Sequence, residues 1–276
     1  MVVGILPNLD KRGASDVLER MRDILISNNI KAYLPSHISF LGYESIPEEE
    51  LFAKSDVIIT VGGDGTIMRY GKTAATYNKP ILGINAGRMG FLANIEANQL
   101  SLLNKLITGD YEVEKRMMLD VKVVENGNEV ACFSAVNDAV ISSGFMSRLI
   151  DIHAFIDDEP ICYRADGLII STPTGSTAYS LSAGGPIIDP AINNIIITPI
   201  CSHSLSAKPI ILSGDNVVKF KGFSIKRSEV YLLIDGRRSY VVKPYSEIYV
   251  SKADKSISLI KLTKRSFYKT LSEKFK

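Results

Sequence analysis

An apolar run in this sequence leads directly into a glycine-rich turn. Residues 57–61 are apolar or β-branched, and the sequence Gly-Gly-Asp-Gly-Thr follows at residues 62–66. A short run of this kind predicts a buried strand of a parallel sheet. Glycines at the end of the strand allow a turn that other residues resist, and they allow a ligand to approach the backbone closely. The pattern therefore predicts a strand, a ligand-binding turn and a following helix.

Asp64 is the acidic side chain of this turn. The helix predicted over residues 67–75 would direct its first free N–H groups at the loop, which favours an anion such as phosphate. Because phosphates repel a carboxylate, a carboxylate at this place indicates a chemical role, such as taking the proton from a hydroxyl that attacks phosphorus. The alternative is that Asp64 only caps the helix. The loop matches neither G-x-x-x-x-G-K-[ST] nor G-x-G-x-x-G.

Strand and helix patterns alternate over the first part of the chain. Predicted strands cover residues 2–6, 31–34, 57–61 and 80–85. From about Tyr111, short strands separated by turn residues replace this alternation. We therefore predict an N-terminal Rossmann-like α/β domain over residues 1–112 and a C-terminal β-sandwich domain over residues 113–262. The last segment, residues 263–276, is expected to form a short helix that packs back on the first domain.

The composition is that of an ordinary globular protein. Hydrophobic residues make up 46% and charged residues 22% of the 276 residues, and the net charge is +2. This charge is too small to indicate nucleic acid or a membrane as a partner, and no apolar run approaches the ~18 residues of a membrane span. Cys132, Cys162 and Cys201 form neither a disulfide pattern nor a zinc spacing. Because the start of the chain also lacks the basic region of a signal peptide, we expect a cytoplasmic protein.

A second informative stretch lies in the β half, at residues 163–186. Six Ser or Thr residues fall between Ser171 and Ser180, and a short helix is predicted to begin among them. Such a segment suits a polar ligand that carries hydroxyls or phosphates, and Tyr179 could pack its ring on a base. The alternative is a Ser/Thr-rich loop followed by a capped helix, because these residues are common in turns and caps.

Together, the two stretches resemble the NAD kinases, and the chain is similar to bacterial-type ATP-NAD kinases. The resemblance rests on the Gly-Gly-Asp-Gly-Thr turn, on the pair Asn137 and Asp138, and on residues 164–186. Order and spacing match over about residues 57–213. The Gly-Gly-Asp-Gly loop alone is shared with diacylglycerol and sphingosine kinases, so a lipid kinase is one alternative. A non-catalytic NAD or NADP sensor is another, although the intact Asp64 argues against it.

The resemblance implies an enzyme that transfers the γ-phosphoryl group of ATP to the 2′-hydroxyl of the adenosine ribose of NAD, which makes NADP. In this family Asp64 would be the general base, Gly65 would let the ligand approach, and Arg69 would lie near phosphate. The remaining expected ligand contacts are Asn137, Asp138, Arg148, Arg164, Asp166, Thr177, Ala178, Tyr179, Ser180, Leu181, Ser182 and Arg237.

Arg237 departs from the family pattern. Bacterial members often carry glutamine after the Asp-Gly turn of a late strand, whereas this chain has arginine after Asp235 and Gly236. A ligand contact at that position, often made across a subunit boundary in this family, would here be ionic. The family also implies a homodimer or homotetramer.

A metal requirement is expected from the chemistry of the donor. No tight carboxylate cluster is visible in the sequence, so Mg²⁺, or another divalent cation, is expected to enter with the phosphates of ATP and to have few protein ligands.

Overall fold

A computed structural model describes residues 1–87, 90–143, 149–224 and 229–276. The chain divides into two compact units. Unit 1 comprises Met1–Lys115 and Ile257–Lys276, and unit 2 comprises Arg116–Ser256. The sequence placed the corresponding boundaries after residues 112 and 262. Within the described ranges, none of the helices combines the length and the apolar character needed to cross a membrane.

Unit 1 contains one sheet with helices on it. With strands numbered along the chain, its strands are β1 (Val2–Pro7), β2 (Lys31–Pro35), β3 (Glu44–Ile46), β4 (Val57–Gly62), β5 (Ile81–Asn85), β6 (Ile95–Glu96), β7 (Glu112–Arg116) and β20 (Ile257–Lys261). Its helices are α1 (Ala14–Ser27), α2 (Glu48–Lys54), α3 (Asp64–Thr76), α4 (Leu103–Thr108) and α6 (Phe267–Lys274), with a 3₁₀ helix at Ala97–Leu102. The strand order is β3-β2-β1-β4-β5-β20-β7, and β6 pairs with β5.

The centre of this sheet is parallel and buried. β1 pairs in parallel with both β2 and β4, and β4 pairs in parallel with β5. Every residue of β4 and β5 is buried. On α1, the buried side chains recur at helical spacing, at Ala14, Val17, Leu18, Met21 and Leu25. The predicted α/β character of this unit is therefore confirmed, since continuous apolar strands need cover on both faces.

The strand β20 joins the sheet of unit 1, although the sequence assigned residues 256–262 to the β domain. It runs parallel to β5, with Leu259 opposite Ile81. Ile260 and Leu262 belong to the apolar core of unit 1. A local pattern of apolar residues shows that a segment fits a half-buried sheet, but it does not show which sheet. The packing of the whole chain decides this assignment.

Unit 2 consists of two antiparallel sheets. Its strands are β8 (Leu119–Glu125), β9 (Asn128–Ala135), β10 (Asp138–Ser142), β11 (Ile150–Ile156), β12 (Glu159–Ala165), β13 (Gly167–Ser171), β14 (Asn194–Ile200), β15 (Ile210–Ser213), β16 (Val218–Ser224), β17 (Val230–Ile234), β18 (Arg237–Val242) and β19 (Glu247–Lys252). A 3₁₀ turn at Gly175–Thr177 and the one-turn helix α5 (Tyr179–Ser182) follow β13. The sheet orders are β15-β14-β13-β10-β17-β18 and β12-β11-β16-β19-β8-β9.

The two sheets of unit 2 share one apolar core. Ile170 and Leu232 come from the first sheet, and Val121 and Ile152 come from the second. These side chains alternate with more exposed residues along strands such as β8 and β17, as expected where one face of each sheet is buried. The predicted β-sandwich is therefore confirmed.

Candidate active site

The Gly-Gly-Asp-Gly turn lies where β4 ends and α3 begins. β4 ends at Gly62, Gly63 is the N-cap residue, and Asp64 is the first residue of α3. The Gly63 N–H donates a hydrogen bond of 3.4 Å to Thr66 Oγ1. A Cβ atom at Gly62 would lie 2.2 Å from that same oxygen, so the turn requires glycine there.

The Asp64 carboxylate accepts three backbone hydrogen bonds from a segment that is distant in sequence. Its Oδ2 accepts from the Phe91 N–H at 2.6 Å, and its Oδ1 accepts from the N–H groups of Leu92 at 3.0 Å and Ala93 at 3.2 Å. The capping alternative is therefore wrong, because the cap position belongs to Gly63 and the carboxylate bonds elsewhere. A carboxylate can accept about four hydrogen bonds, so roughly one acceptor site is left for a ligand hydroxyl.

Gly90 makes this arrangement possible. A Cβ atom at residue 90 would lie 2.1 Å from the Asp64 Cγ and from both of its carboxylate oxygens. The local sequence pattern does not indicate this role for Gly90 or for the amides of residues 91–93. The available signal was a second glycine-containing stretch directly after β5, at residues 86–92.

Gly65 and Arg69 lie further along α3. A Cβ atom at Gly65 would meet nothing within 4 Å, so open space borders the backbone at this point. The Arg69 guanidinium lies over the ring of Tyr70, with Cζ 5.1 Å from the ring centroid. Helix α3 has 13 residues, which is long enough for its first N–H groups to favour an anion.

In unit 2, the carboxylate of Asp235 holds the segment that carries Asn137 and Asp138. Asp235 lies in the tight turn between β17 and β18. Its Oδ1 accepts from the N–H groups of Asn137 at 2.8 Å, Val136 at 3.0 Å and Asp138 at 3.3 Å. The Asn137 carbonyl in turn accepts from the Thr172 N–H at 2.9 Å. Sequence reasoning treated Asp235 only as a turn residue and missed this role.

The Asp138 side chain is buried, with 4% of its surface exposed. Burial, and secondly the nearby charge of Asp235, raise the pKa of this carboxyl from its ordinary value of 3.8 to about 7. Near neutral pH a substantial fraction of Asp138 is therefore protonated. A protonated carboxyl can donate a hydrogen bond, which an ionised one cannot do.

Most hydroxyls of the Ser/Thr-rich loop are used inside the protein. Thr172 Oγ1 donates to the Val136 carbonyl at 2.7 Å, and Ser176 Oγ donates to the Pro173 carbonyl at 2.6 Å. The buried Ser180 Oγ lies 2.9 Å from Thr198 Oγ1 on β14. These hydroxyls stabilise the loop because buried polar groups must be paired. The sequence predicted that this segment suits a polar ligand, whereas in the structure these hydroxyls bond within the protein and the Ser180 hydroxyl is buried.

Other side chains of this loop stay accessible. Thr177, Ala178 and Leu181 are partly buried, whereas Tyr179, at 47% exposure, and Ser182 are exposed. The preceding turn packs tightly on the Asn137 segment, since a Cβ atom at Gly175 would lie 2.1 Å from the Asn137 carbonyl oxygen. The structure therefore brings the predicted loop and the predicted Asn-Asp pair together.

Arg164 and Asp166 lie at the other end of the β10–β13 pair. Asp138 is opposite Ser171 in this pair, whereas the Asp166 carbonyl accepts from the Ser143 N–H at 3.1 Å. Five residues of β13 separate the two ends, which is about 16 Å at the rise of an extended strand. The Arg164 Nε lies 3.9 Å from Asp151 Oδ1, and both side chains are largely exposed.

Two further predicted contacts complete the set. Arg237 is the first residue of β18, and its side chain is exposed. Arg148 lies outside the described residues. In the described part of the chain, no group of three or more His, Cys, Asp or Glu side chains is arranged to hold a metal ion.

The chain combines a unit built on a parallel sheet with a unit of two antiparallel sheets, and comparisons with known proteins give its family. Residues 3–111 match the model of the ATP-NAD kinase N-terminal domain, and residues 136–262 match that of the C-terminal domain. The chain is 40% identical to an NAD kinase of Natranaerobius thermophilus over 99% of this chain and 96% of that protein. It is 39% identical to one of Caldanaerobacter subterraneus subsp. tengcongensis, over 99% and 98%.

Solved structures agree with these matches. A yeast NADH kinase complexed with NADH aligns with a TM-score of 0.87 and 26% identity, over 99% of this chain and 86% of that chain. An NAD kinase from Archaeoglobus fulgidus in complex with ATP aligns with a TM-score of 0.74 and 25% identity, over 99% and 98%. The chain belongs to the ATP-NAD kinase family. The predicted family is thus confirmed, and the lipid-kinase alternative is not supported.

Proposed function

We propose that the chain transfers the γ-phosphoryl group of ATP to the 2′-hydroxyl of the adenosine ribose of NAD and so makes NADP, with Asp64 as the general base. Membership of the ATP-NAD kinase family supports the reaction. The observation that supports the role of Asp64 is the position of its carboxylate. It lies at the start of α3, held by three backbone N–H groups.

The chemistry needs an acceptor for the hydroxyl proton. A ribose hydroxyl is a poor nucleophile until its proton is accepted, and a positioned general base contributes on the order of 10²–10⁴ in rate. The acceptor site that remains on Asp64 can take that proton. The transferred phosphoryl group needs mainly alignment and neutralisation of charge, which the first N–H groups of α3 and the open space at Gly65 can assist.

The metal is proposed to belong to the donor substrate. A divalent cation such as Mg²⁺, bound to the phosphates of ATP, would supply charge neutralisation. Mg²⁺ keeps several waters in such sites and is bound by one or two carboxylates together with substrate phosphates.

The NAD contacts are proposed to come from two places in unit 2. Beside the Asn137–Asp138 pair, the exposed ring of Tyr179 can pack on the adenine, and a protonated Asp138 can donate to a ligand acceptor. The residues proposed for this contact surface are Asn137, Asp138, Thr177, Ala178, Tyr179, Leu181, Ser182 and the backbone of Ser180. Arg148, Arg164, Asp166 and Arg237 are proposed as further NAD contacts.

The test is a direct assay of NADP formation by purified protein with NAD, ATP and Mg²⁺. Replacing Asp64 with asparagine should leave NAD binding intact by calorimetry and lower turnover by at least ~10², the lower end of a general-base contribution. Asp254→Asn, at an exposed acid of unit 2, is the matched control and should turn over normally. Near-normal turnover of D64N would refute the assigned role.

The non-catalytic alternative has its own signature. A sensor would show binding of NAD or NADP in calorimetry, and it would form no NADP with ATP or with any other phosphoryl donor.

We also propose that the chain forms a homodimer or homotetramer. Among the described strands, β18 pairs only with β17 and is an edge strand of its sheet, and the exposed Arg237 begins it. An edge strand offers unpaired backbone groups to another chain. Light scattering coupled to size exclusion should give the mass of at least two chains, and a monomer at assay concentration would refute this proposal.

A further inference from the structure

The segment that holds Asp64 is itself tied to the C-terminal part of the chain. Asn94 follows directly after the three donating amides, and its side chain is buried. Its Oδ1 accepts from the Leu262 N–H at 2.6 Å and from the Thr263 N–H at 3.1 Å. These bonds connect residues 90–94 with the end of β20, within unit 1.

A second connection runs through aromatic rings. The ring centroids of Phe91 and Phe267, the first residue of α6, lie 5.7 Å apart with an interplanar angle of 40°. Lys274, at the other end of α6, places its Nζ 5.0 Å from the Phe91 ring centroid. Both ends of the helix therefore contact the one side chain, Phe91.

Helix α6 is locally well defined. Ser266 is its N-cap residue, and Ser266 Oγ accepts from the Lys269 N–H at 3.1 Å. Arg265 donates from Nε to Thr270 Oγ1 at 3.0 Å and forms an ion pair with Glu273. These contacts give Phe267 a fixed support, so its ring can restrain Phe91.

Phe91 joins the two sets of contacts in a single residue. Its ring packs on Phe267, and its backbone N–H donates the shortest of the three hydrogen bonds to Asp64, at 2.6 Å. The segment also lies close to β5, since a Cβ atom at Gly83 would meet Ala93 Cα at 3.0 Å. The segment therefore packs against both β5 and the C-terminal residues, and a shift of the C-terminal residues would move the amides that hold the carboxylate.

We propose that Phe267 is a positioning residue, and that the C-terminal residues 262–274 set the place of the Asp64 carboxylate through Phe91 and Asn94. This inference rests on the proposed role of Asp64. A misplacement of about 1 Å by a change far from the chemistry can lower a rate by ~10². Loss of the Phe267 ring should therefore lower kcat while leaving NAD binding unchanged.

The first experiment compares two phenylalanines of the C-terminal segment. Phe267→Ala should lower kcat by about 10-fold or more, up to ~10², with an unchanged Kd for NAD by calorimetry. Phe275→Ala is the matched control, because its side chain is 63% exposed, and it should keep a normal kcat. If Phe267→Ala does not fold, Phe267→Leu keeps an apolar contact, loses the ring pair and should show a smaller loss of kcat. A normal kcat in the folded Phe267 variant would overturn the proposal.

The second experiment separates positioning from general destabilisation. If Phe267 acts through Asp64, Phe267→Ala should cause no further loss of residual turnover in the D64N background, since residues that act as a unit are non-additive. Hydrogen exchange at the amides of residues 91–93 should also become faster in Phe267→Ala. An equal loss of turnover in both backgrounds, or unchanged exchange at these amides, would overturn the proposal.

The two proposals fail in different ways. If D64N turns over normally, the general-base assignment fails and the positioning role fails with it. If D64N loses turnover and Phe267→Ala does not, only the positioning role fails.

Discussion

Replacing Asp138 with asparagine should change how the stability of this protein depends on pH. The wild-type carboxyl is buried, and its pKa is raised from 3.8 to about 7, first by burial and second by the charge of Asp235. Each pKa unit corresponds to about 1.4 kcal/mol of differential interaction between the two protonation states. The difference between 3.8 and about 7 therefore corresponds to up to about 4 kcal/mol of unfolding free energy.

Proton binding determines whether the unfolding free energy rises or falls with pH. Between these two pKa values the folded state holds the proton and the unfolded state releases it, so folding becomes less favourable as the pH rises. The contribution of the protonated carboxyl is fully present below the unfolded pKa, and it is lost as the pH rises through about 7. The Asp138→Asn variant has no proton to release at this site and lacks this dependence.

The assay is urea unfolding of wild type and Asp138→Asn across this pH range, together with an NMR titration of the labelled carboxyl. The unfolding free energy of wild type relative to the variant should fall by up to about 4 kcal/mol from about pH 4 to above pH 7. A second variant, Asp235→Asn, removes the nearby charge, which is the smaller of the two causes of the raised pKa, and it should lower the pKa of Asp138. A difference that is constant with pH, or that grows as the pH rises, would show that the pKa of Asp138 is not raised by folding.

Two further substitutions test other parts of the molecule. Gly90→Ala should lower NADP formation to about the level of D64N, because a Cβ atom there would lie 2.1 Å from the Asp64 carboxylate; turnover close to wild type would show that the segment moves aside without consequence. Glu125→Gln should destabilise unit 2 at neutral pH. The hydrogen bond from Lys243, followed by that from Tyr240, holds the pKa of Glu125 below its ordinary value. That stabilisation is present above the pKa of the unfolded state and is lost as the pH falls. The melting temperatures of wild type and Glu125→Gln should therefore converge in acid. A difference in melting temperature that persists in acid would contradict this role of Glu125.

The local pattern of apolar residues and glycines was sufficient to predict the strand and the helix around Asp64. The run of β-branched residues before Gly62 corresponds to β4, and α3 begins directly after Gly63. Such a strand can be recognised from the sequence because a parallel strand that is buried on both faces must be apolar at every position. The short strands expected after Tyr111 are present too, and in β11 (Ile150–Ile156) buried and less buried residues alternate, since one face of that strand lies in the core.

Pattern was a poor guide to what the polar side chains do. The hydroxyls of residues 171–180 suggested a ligand, yet Thr172 bonds to Val136 and Ser180 to Thr198. The residue type shows that a hydroxyl needs a partner when it is buried. It does not show which neighbour in the fold provides that partner.

Residue order and local periodicity were enough to identify the family, the two kinds of domain and the position of Asp64 at the end of a strand. They did not indicate that the Phe91 N–H donates to Asp64, 27 residues away, that Asp235 accepts from the Asn137 N–H, 98 residues away, or that β20 joins the sheet of unit 1. Hydrogen bonds and packing act between groups that are close in space, and residues this far apart in sequence become close only when the chain has folded.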